Sequence, residues 1–203
     1  MNSRGQLIVI SGPSGAGKGT VCKAILEKND FWISVSVTTR SPRNSEIEGI
    51  NYYFLTKEKF QEKIATEDFL EYAEVYGNYY GTPKSEVLKV LDSGRDVILE
   101  IDIQGALMVK TAYPKGLFIF ILPPSMEELR NRITNRGSET PESLITRFTS
   151  AHEEIRFVTR YDYAVINDTV DKACEKIQSI IIAERCRADR LNADFLKEEV
   201  NNE

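Results

Sequence analysis

The sequence predicts an α/β protein: a parallel central sheet with helices on both faces. Three observations point there. Uncharged, β-branched runs recur along the chain, each is followed by a stretch of helical spacing, and the first such pair is joined by the glycine-rich turn SGPSGAGKGT at residues 11 to 20. Strands buried on both faces read as continuous apolar runs, and their alternation with helices marks parallel sheets. Right-handed crossovers then gather every strand's carboxyl end at one edge, where such sheets bind ligands.

The elements follow in order. QLIVIS is the first strand, and GKGTVCKAILEKN shows helical spacing at Val21, Ala24, Ile25 and Lys28. DVILEIDI (96 to 103) is the second buried strand, before the helical QGALMVKTA. GLFIFIL (116 to 122) is the third, closed by Pro123 and Pro124, and YAVIN (163 to 167) is the fourth, before a helix starting near Val170. Two segments break the rhythm. Residues 36–87, rich in Tyr, Thr, Gly and charge, place short strands (NYYFL, LEYAEVYGNYYGT) around a helix, KEKFQEKIA, and read as a small mixed lobe. Residues 126–149 read as an arginine-bearing helical pair forming a lid, with Thr140 as cap and Pro141 at the first helical position. The core is then 1–35, 88–125 and 150–203, and the polar, acidic LNADFLKEEVNNE reads as a fraying helix end.

Composition narrows the function. With 203 residues, 41% hydrophobic, the chain is long enough for one well-buried core. A net charge of -5 argues against a general nucleic-acid or membrane-surface binder, so any anion must be held by local basic clusters. No stretch approaches the roughly 18 apolar residues of a spanning helix, and the N-terminal apolar run is short for a signal peptide, so a cytoplasmic location is expected. Cys22, Cys174 and Cys186 are odd in number and lack paired spacing, which suggests buried free thiols rather than disulfides or a zinc site. The single histidine, His152, lies beside Glu153 and Glu154 and reads as a surface residue.

The glycine turn carries the first chemistry. Gly12, Gly17 and Lys18 fit seven positions of G-x-x-x-x-G-K-[ST], and the strand before and helix after supply the context of a phosphate loop. Backbone N–H groups cradle the phosphates while lysine adds charge. The eighth position departs. Gly19 stands where Ser or Thr offers Mg2+ a hydroxyl, and Thr20 follows one residue later. The full run Gly12, Pro13, Ser14, Gly15, Ala16, Gly17, Lys18, Gly19, Thr20 is similar to the G-x-x-G-x-G-K-G-T of nucleoside monophosphate kinases, which implies a three-layer P-loop NTPase fold and a metal held largely through phosphates and water.

Arg40 and Arg43 lie three apart beside Ser36, Thr38 and Thr39, with Tyr52 following. Two guanidinium forks near hydroxyls suit a phosphate monoester, although R-x-x-R alone is an ordinary surface pattern. In VILEIDIQG, Glu100 and Asp102 are two apart, which on a strand puts both on one face near the phosphate loop. They are placed to position hydrated Mg2+, to meet the acceptor nucleotide, or to cap adjacent helices. Arg132 and Arg136 share a helix face, and Arg147 lies on the next helix.

Taken together, S-x-T-T-R-x-P-R, G-x-x-Y-x-F, FLEYAEVYGNYYGT, EIDIQGA and RGSETPESLITR resemble the guanylate kinases in family order, from about residue 5 to 187. The resemblance implies Mg2+-dependent transfer from ATP to GMP, and to dGMP as well. It assigns Ser36, Arg40, Arg43, Tyr52 and Tyr80 to the GMP phosphate, Glu71 and Thr82 to the base, and Asp102 to GMP near the metal. Glu100 stands where the family usually has aspartate. Lys18, Arg132, Arg136 and Arg147 match positions acting on the moving phosphoryl group, and Asn167 a position near the ATP base, with a structural turn as the alternative. The chemistry agrees at Glu71: guanine offers N1–H and N2–H2 donors to a carboxylate, and adenine leaves that carboxylate unpaired. Of the neighbouring Tyr79 and Tyr80, one is expected to be packing. Two rival readings are a sister kinase of the same fold, which does not need Glu71 and Thr82, and a non-catalytic phosphopeptide module, which does not need Lys18 and the lid arginines. Oligomeric state is left open between monomer and homodimer.

Overall fold

The structure, a computed structural model, describes residues 4–44, 46–75, 77–134 and 141–188, with the backbone alone for 141–147. Strand β1 (Leu7–Ser11) runs through the phosphate loop into helix α1 (Lys18–Lys28), followed by β2 (Trp32–Ile33), β3 (Val37–Thr38) and β4 (Tyr53–Phe54). Then come α2 (Lys57–Ala65), the β5 (Phe69–Val75) and β6 (Asn78–Pro83) hairpin, α3 (Lys84–Asp92), β7 (Val97–Glu100) and α4 (Ile103–Ala112). The chain continues with β8 (Leu117–Leu122), α5 (Met126–Thr134), α6 (Pro141–Ile155), a 3-10 turn, β9 (Tyr163–Ile166) and α7 (Val170–Arg185).

The main sheet has the order β2-β7-β1-β8-β9, with all its pairings parallel. β1 lies at its centre because LIVIS has no charged residue and can be buried on both faces. Its side chains alternate: Ile8 and Ile10 pack with Val21 and Ile25 of α1 and Ile177 and Ile181 of α7. Leu7 and Val9 turn the other way, toward Val87 and Leu91 of α3, Val109 of α4 and Phe118. Each such side chain contributes about 1.5–3 kcal/mol on burial. The sheet is thus the middle of three layers, and α3 belongs to its packing even though it straddles position 87.

Three expectations need correction. The sheet has a fifth strand, β2, whose two residues pair with Val97 and Ile98; an element that short leaves no periodic signal. The second predicted strand stops at Glu100, and Asp102 (φ -73, ψ 177) is instead the N-cap of α4, accepting the Gly105 N–H at 2.8 Å. A carboxylate directly before an apolar helical run satisfies an orphan amide, which an extended strand does not supply. Cys186 is exposed, while Cys22 and Cys174 are buried as expected. His152 is exposed, also as expected.

The smaller sheet, β4-β3-β6-β5, carries the second lobe. Tyr79 is its packing residue, stacked on Phe60 of α2 with centroids 5.3 Å apart, and Phe60 stacks in turn on Phe69 at 4.5 Å. Tyr80 faces Tyr52 edge-on at 6.0 Å. α6 begins at Pro141, as the sequence predicts; Thr140 and Arg136 lie outside the described residues. Among the described residues no helix is long and apolar enough to cross a membrane.

Candidate active site

The phosphate loop leaves β1 at Ser11 and enters α1 at Lys18. The Lys18 ammonium donates to the carbonyls of Gly12 at 2.6 Å and Pro13 at 3.2 Å, which ties the side chain to the start of the loop. Burial lowers the Lys18 pKa, while Glu100, Glu154 and Asp102 pull it the other way. Gly17, the N-cap of α1, has φ 92, and a Cβ there would stand 2.4 Å from Asn167 Nδ2, so backbone and space both demand glycine. The contact has a purpose. Asn167, 3% exposed at the end of β9, donates Nδ2 to the Ala16 carbonyl at 2.8 Å and braces the loop from behind.

Arg132 arrives at the same place from α5. Its guanidinium donates to Glu128 at 2.8 Å, the Asn167 carbonyl at 3.3 Å and the Ala16 carbonyl at 3.5 Å. It therefore sits on the flank of the loop, held there by an i,i+4 carboxylate. Ser14, Gly15 and Gly19 complete the loop and Thr20 is exposed on α1. The side chain of Arg147 lies outside the described residues.

Across the strand ends lies the second lobe. Glu71 on β5 is 8% exposed, and Oε1 accepts the Thr82 hydroxyl from β6 at 2.6 Å. The two residues are directly paired in the hairpin, so the contact follows from register. A Cβ on Gly105 would lie 3.1 Å from Glu71 Oε2 and 3.4 Å from Asp102 Oδ1, which brings both carboxylates up to that glycine. Burial pushes the Glu71 pKa up to about 7; the Thr82 hydroxyl lowers it and the nearby Asp102 charge raises it.

Arg40 is held ready for an anion. Its guanidinium donates to both Glu46 oxygens at 2.8 and 3.0 Å and lies 5.6 Å from the Tyr52 ring centroid. Glu46 also accepts the Arg43 backbone N–H at 2.8 Å, leaving the Arg43 side chain exposed. Ser36 is half-buried, its carbonyl accepting the Tyr53 N–H at 2.9 Å. The structure thus gathers Ser36, Arg40, Tyr52 and Tyr80 on and beside one small sheet, whose β5–β6 hairpin also carries Glu71 and Thr82.

Two residues escaped the sequence reading. Glu46 offers no periodic clue because it sits in a loop. Glu154 accepts the Ser14 N–H at 3.3 Å, so a carboxylate of α6 reaches the phosphate loop. Its position seven residues, two helical turns, beyond residue 147 was the available signal.

For Mg2+, the donor set fits an ion that keeps its waters. Gly19 offers no hydroxyl, no group of three acidic, Cys or His ligands occurs among the described residues, and Glu100 and Asp102 stand at the loop. Mg2+ retains several waters and needs only one or two carboxylates beside substrate phosphates.

A parallel sheet with a phosphate loop after its central strand, facing a lobe with an arginine and a buried glutamate, defines a P-loop kinase of the nucleoside monophosphate type. The comparisons with known proteins specify it further. The guanylate kinase family model matches residues 4–184. Guanylate kinase of Clostridium tetani is 67% identical over 193 residues, covering 95% of this chain and 93% of the relative. That of Clostridium perfringens is 66% identical over 197 residues, covering 97% and 91%. The crystal structure of guanylate kinase from Anaplasma phagocytophilum superposes with a TM-score of 0.77 at 35% identity, covering 97% of this chain and 95% of that one. The chain belongs to the guanylate kinase family.

Proposed function

We propose that the enzyme transfers the terminal phosphate of ATP directly to GMP, giving ADP and GDP, and accepts dGMP in the same site. The observation that supports the acceptor is the buried Glu71 carboxylate, oriented by Thr82, with no cation against it among the described residues, and set beside Gly105 in the first turn of α4. Such a group is stable as an anion only when donors arrive, and guanine brings N1–H and N2–H2 together. Arg40, Arg43, Ser36, Tyr52 and Tyr80 hold the GMP phosphate, with Asp102 meeting GMP from the N-cap of α4.

On the donor side the amides of residues 12–20 and Lys18 cradle the phosphates of ATP, and Asn167 keeps that cradle in shape beside the ATP base. Arg136 and Arg147 close on the transferring group, while Arg132 acts from the loop's flank. No protein nucleophile is needed, because phosphoryl transfer is dominated by positioning and charge neutralisation. Mg2+ bound with ATP neutralises developing charge, and Glu100 and Asp102 would hold it through water. Closure of lobe and lid excludes water and suppresses ATP hydrolysis. A cytoplasmic location goes with these substrates.

The test is an ADP-release assay with Mg-ATP and equal concentrations of GMP, dGMP, AMP, CMP and UMP, with Lys18→Ala as control. A strong guanine preference, abolished in the control, supports the reading. Preference for AMP, or no turnover by folded protein, overturns it.

A further inference from the structure

Gly19 lacks the reason that the other loop glycines have. Gly12, Gly15 and Gly17 all adopt positive φ, whereas Gly19 lies in the first turn of α1 and is absent from the positive-φ residues. Its backbone admits any side chain. What stands in the way is Glu100: a Cβ on Gly19 would lie 3.3 Å from Oε1 and 3.6 Å from Oε2. The carboxylate therefore already fills the flank of α1 where a serine or threonine at position 19 would project its hydroxyl.

The strand register explains how it gets there. Glu100 is paired with Ile10 in parallel register, so it leaves the sheet beside the end of β1, level with the start of the loop. Its carboxylate is open to the cleft but crowded on the protein side. Desolvation raises its pKa, and Lys18 pulls the other way. An aspartate at the same Cα is one methylene shorter and would withdraw its oxygens from Gly19 by roughly one carbon–carbon bond, about 1.5 Å. That withdrawal is about one bond length, the reach that a serine hydroxyl at position 19 adds beyond its Cβ.

We propose that Gly19 and Glu100 are one functional unit: the longer carboxylate supplies, from the end of β7, the oxygen that the phosphate loop lacks at position 19, and it orients the hydrating water of the Mg2+ that enters with ATP. The inference rests on the kinase reading above and goes further, because it makes glycine and glutamate interdependent. Glu100 is a positioning residue here. Its oxygens act through water, and its length matters only because position 19 has no side chain. A serine at 19 with aspartate at 100 would divide the same work in the opposite way.

The experiment is a double-mutant cycle on Gly19→Ser and Glu100→Asp, read as the Mg2+ concentration that half-saturates the Mg2+-dependent gain in ATP affinity, measured without acceptor so that no turnover occurs. Glu100→Asp alone should raise that midpoint about tenfold or more, the usual scale for losing a group that orients a metal's ligands. Gly19→Ser in the Glu100→Asp background should recover most of the loss, whereas in the wild-type background it should bring no gain. Equal shifts from Gly19→Ser in both backgrounds, or no shift from Glu100→Asp, would overturn the coupling. Glu100→Gln keeps the length and removes the charge, so it should also raise the midpoint in a protein of near-native packing. A wild-type protein whose ATP binding ignores Mg2+ would instead overturn the kinase reading beneath.

Discussion

Thr82 donates its hydroxyl to Glu71 at 2.6 Å, across a register pair of the β5–β6 hairpin, in a site where the carboxylate is 8% exposed. The bond fixes one carboxylate oxygen and leaves the other toward Gly105 of α4, joining the small lobe to the edge of the main sheet.

That environment predicts a pH dependence. With a folded pKa raised to about 7 from the ordinary 4.5, Glu71 keeps its proton in the folded protein over a range where the unfolded chain has lost it. Folding stability therefore falls as pH rises between about 4.5 and 7, by an amount on the order of 3 kcal/mol at most, and is flat above. Ligand binding runs the other way. Guanine donors need the carboxylate, so the affinity for GMP should decline as pH drops below about 7 and a proton should be released on binding at neutral pH. Calorimetry of GMP binding in two buffers of different ionisation enthalpy checks this, and Thr82→Val should move the midpoint to higher pH.

The brace behind the phosphate loop predicts a separable loss. Asn167→Ala removes the Nδ2 donor to the buried Ala16 carbonyl and should cost about 1–3 kcal/mol of stability. ATP binding should weaken with GMP binding spared. Gly17→Ala meets both a φ of 92 and an Asn167 nitrogen 2.4 Å from its Cβ, and should abolish ATP binding more thoroughly than Asn167→Ala does. Thermal melts with separate ATP and GMP titrations distinguish these outcomes.

Arg40 and Glu46 predict an acceptor-side effect. Glu46 holds the Arg40 fork and the Arg43 amide together, so Glu46→Ala should raise the KM for GMP several-fold while leaving the KM for ATP unmoved. Arg40→Ala should do the same more severely, by about 1.5–3 kcal/mol of lost charged hydrogen bonding. Steady-state kinetics with each substrate varied in turn reads both.

The thiols give a simpler check. Cys186 is exposed, while Cys22 and Cys174 are buried, the Cys22 thiol with its pKa pushed far up by desolvation. One thiol should react rapidly with a colourimetric disulfide reagent in the native protein, and three after unfolding.

Much of this was legible in the sequence, unevenly. LIVIS, GLFIFIL and the glycine loop announced themselves because a doubly buried strand and a phosphate cradle each force a residue pattern. Glu71 and Thr82 were legible through family order, and their pairing follows from the hairpin. Asp102 was misplaced because period-2 spacing in LEIDI extends past the end of β7, where helix capping takes over at Ile103. β2 was invisible because two residues, Trp32 and Ile33, cannot show a period. Gly19 departs from the phosphate-loop pattern in a way the sequence does not explain, because the carboxylate that fills its space comes from Glu100, 81 residues further along the chain. Glu46 acts from a loop without periodicity, and Glu154 meets Ser14 across 140 residues, with its helical spacing from residue 147 as the one local sign of it.

The most direct measurement is the ratio of kcat/KM for GMP over AMP in the wild-type enzyme and in Glu71→Gln. A site built to pair with guanine's donors should favour GMP by about 10^4-fold or more in the wild type. In the variant that ratio should collapse through loss of GMP activity, with turnover of ATP against other acceptors little changed. Equal use of AMP and GMP by the wild type, or an undiminished ratio in Glu71→Gln, would contradict the assignment of Glu71 as the reader of the base.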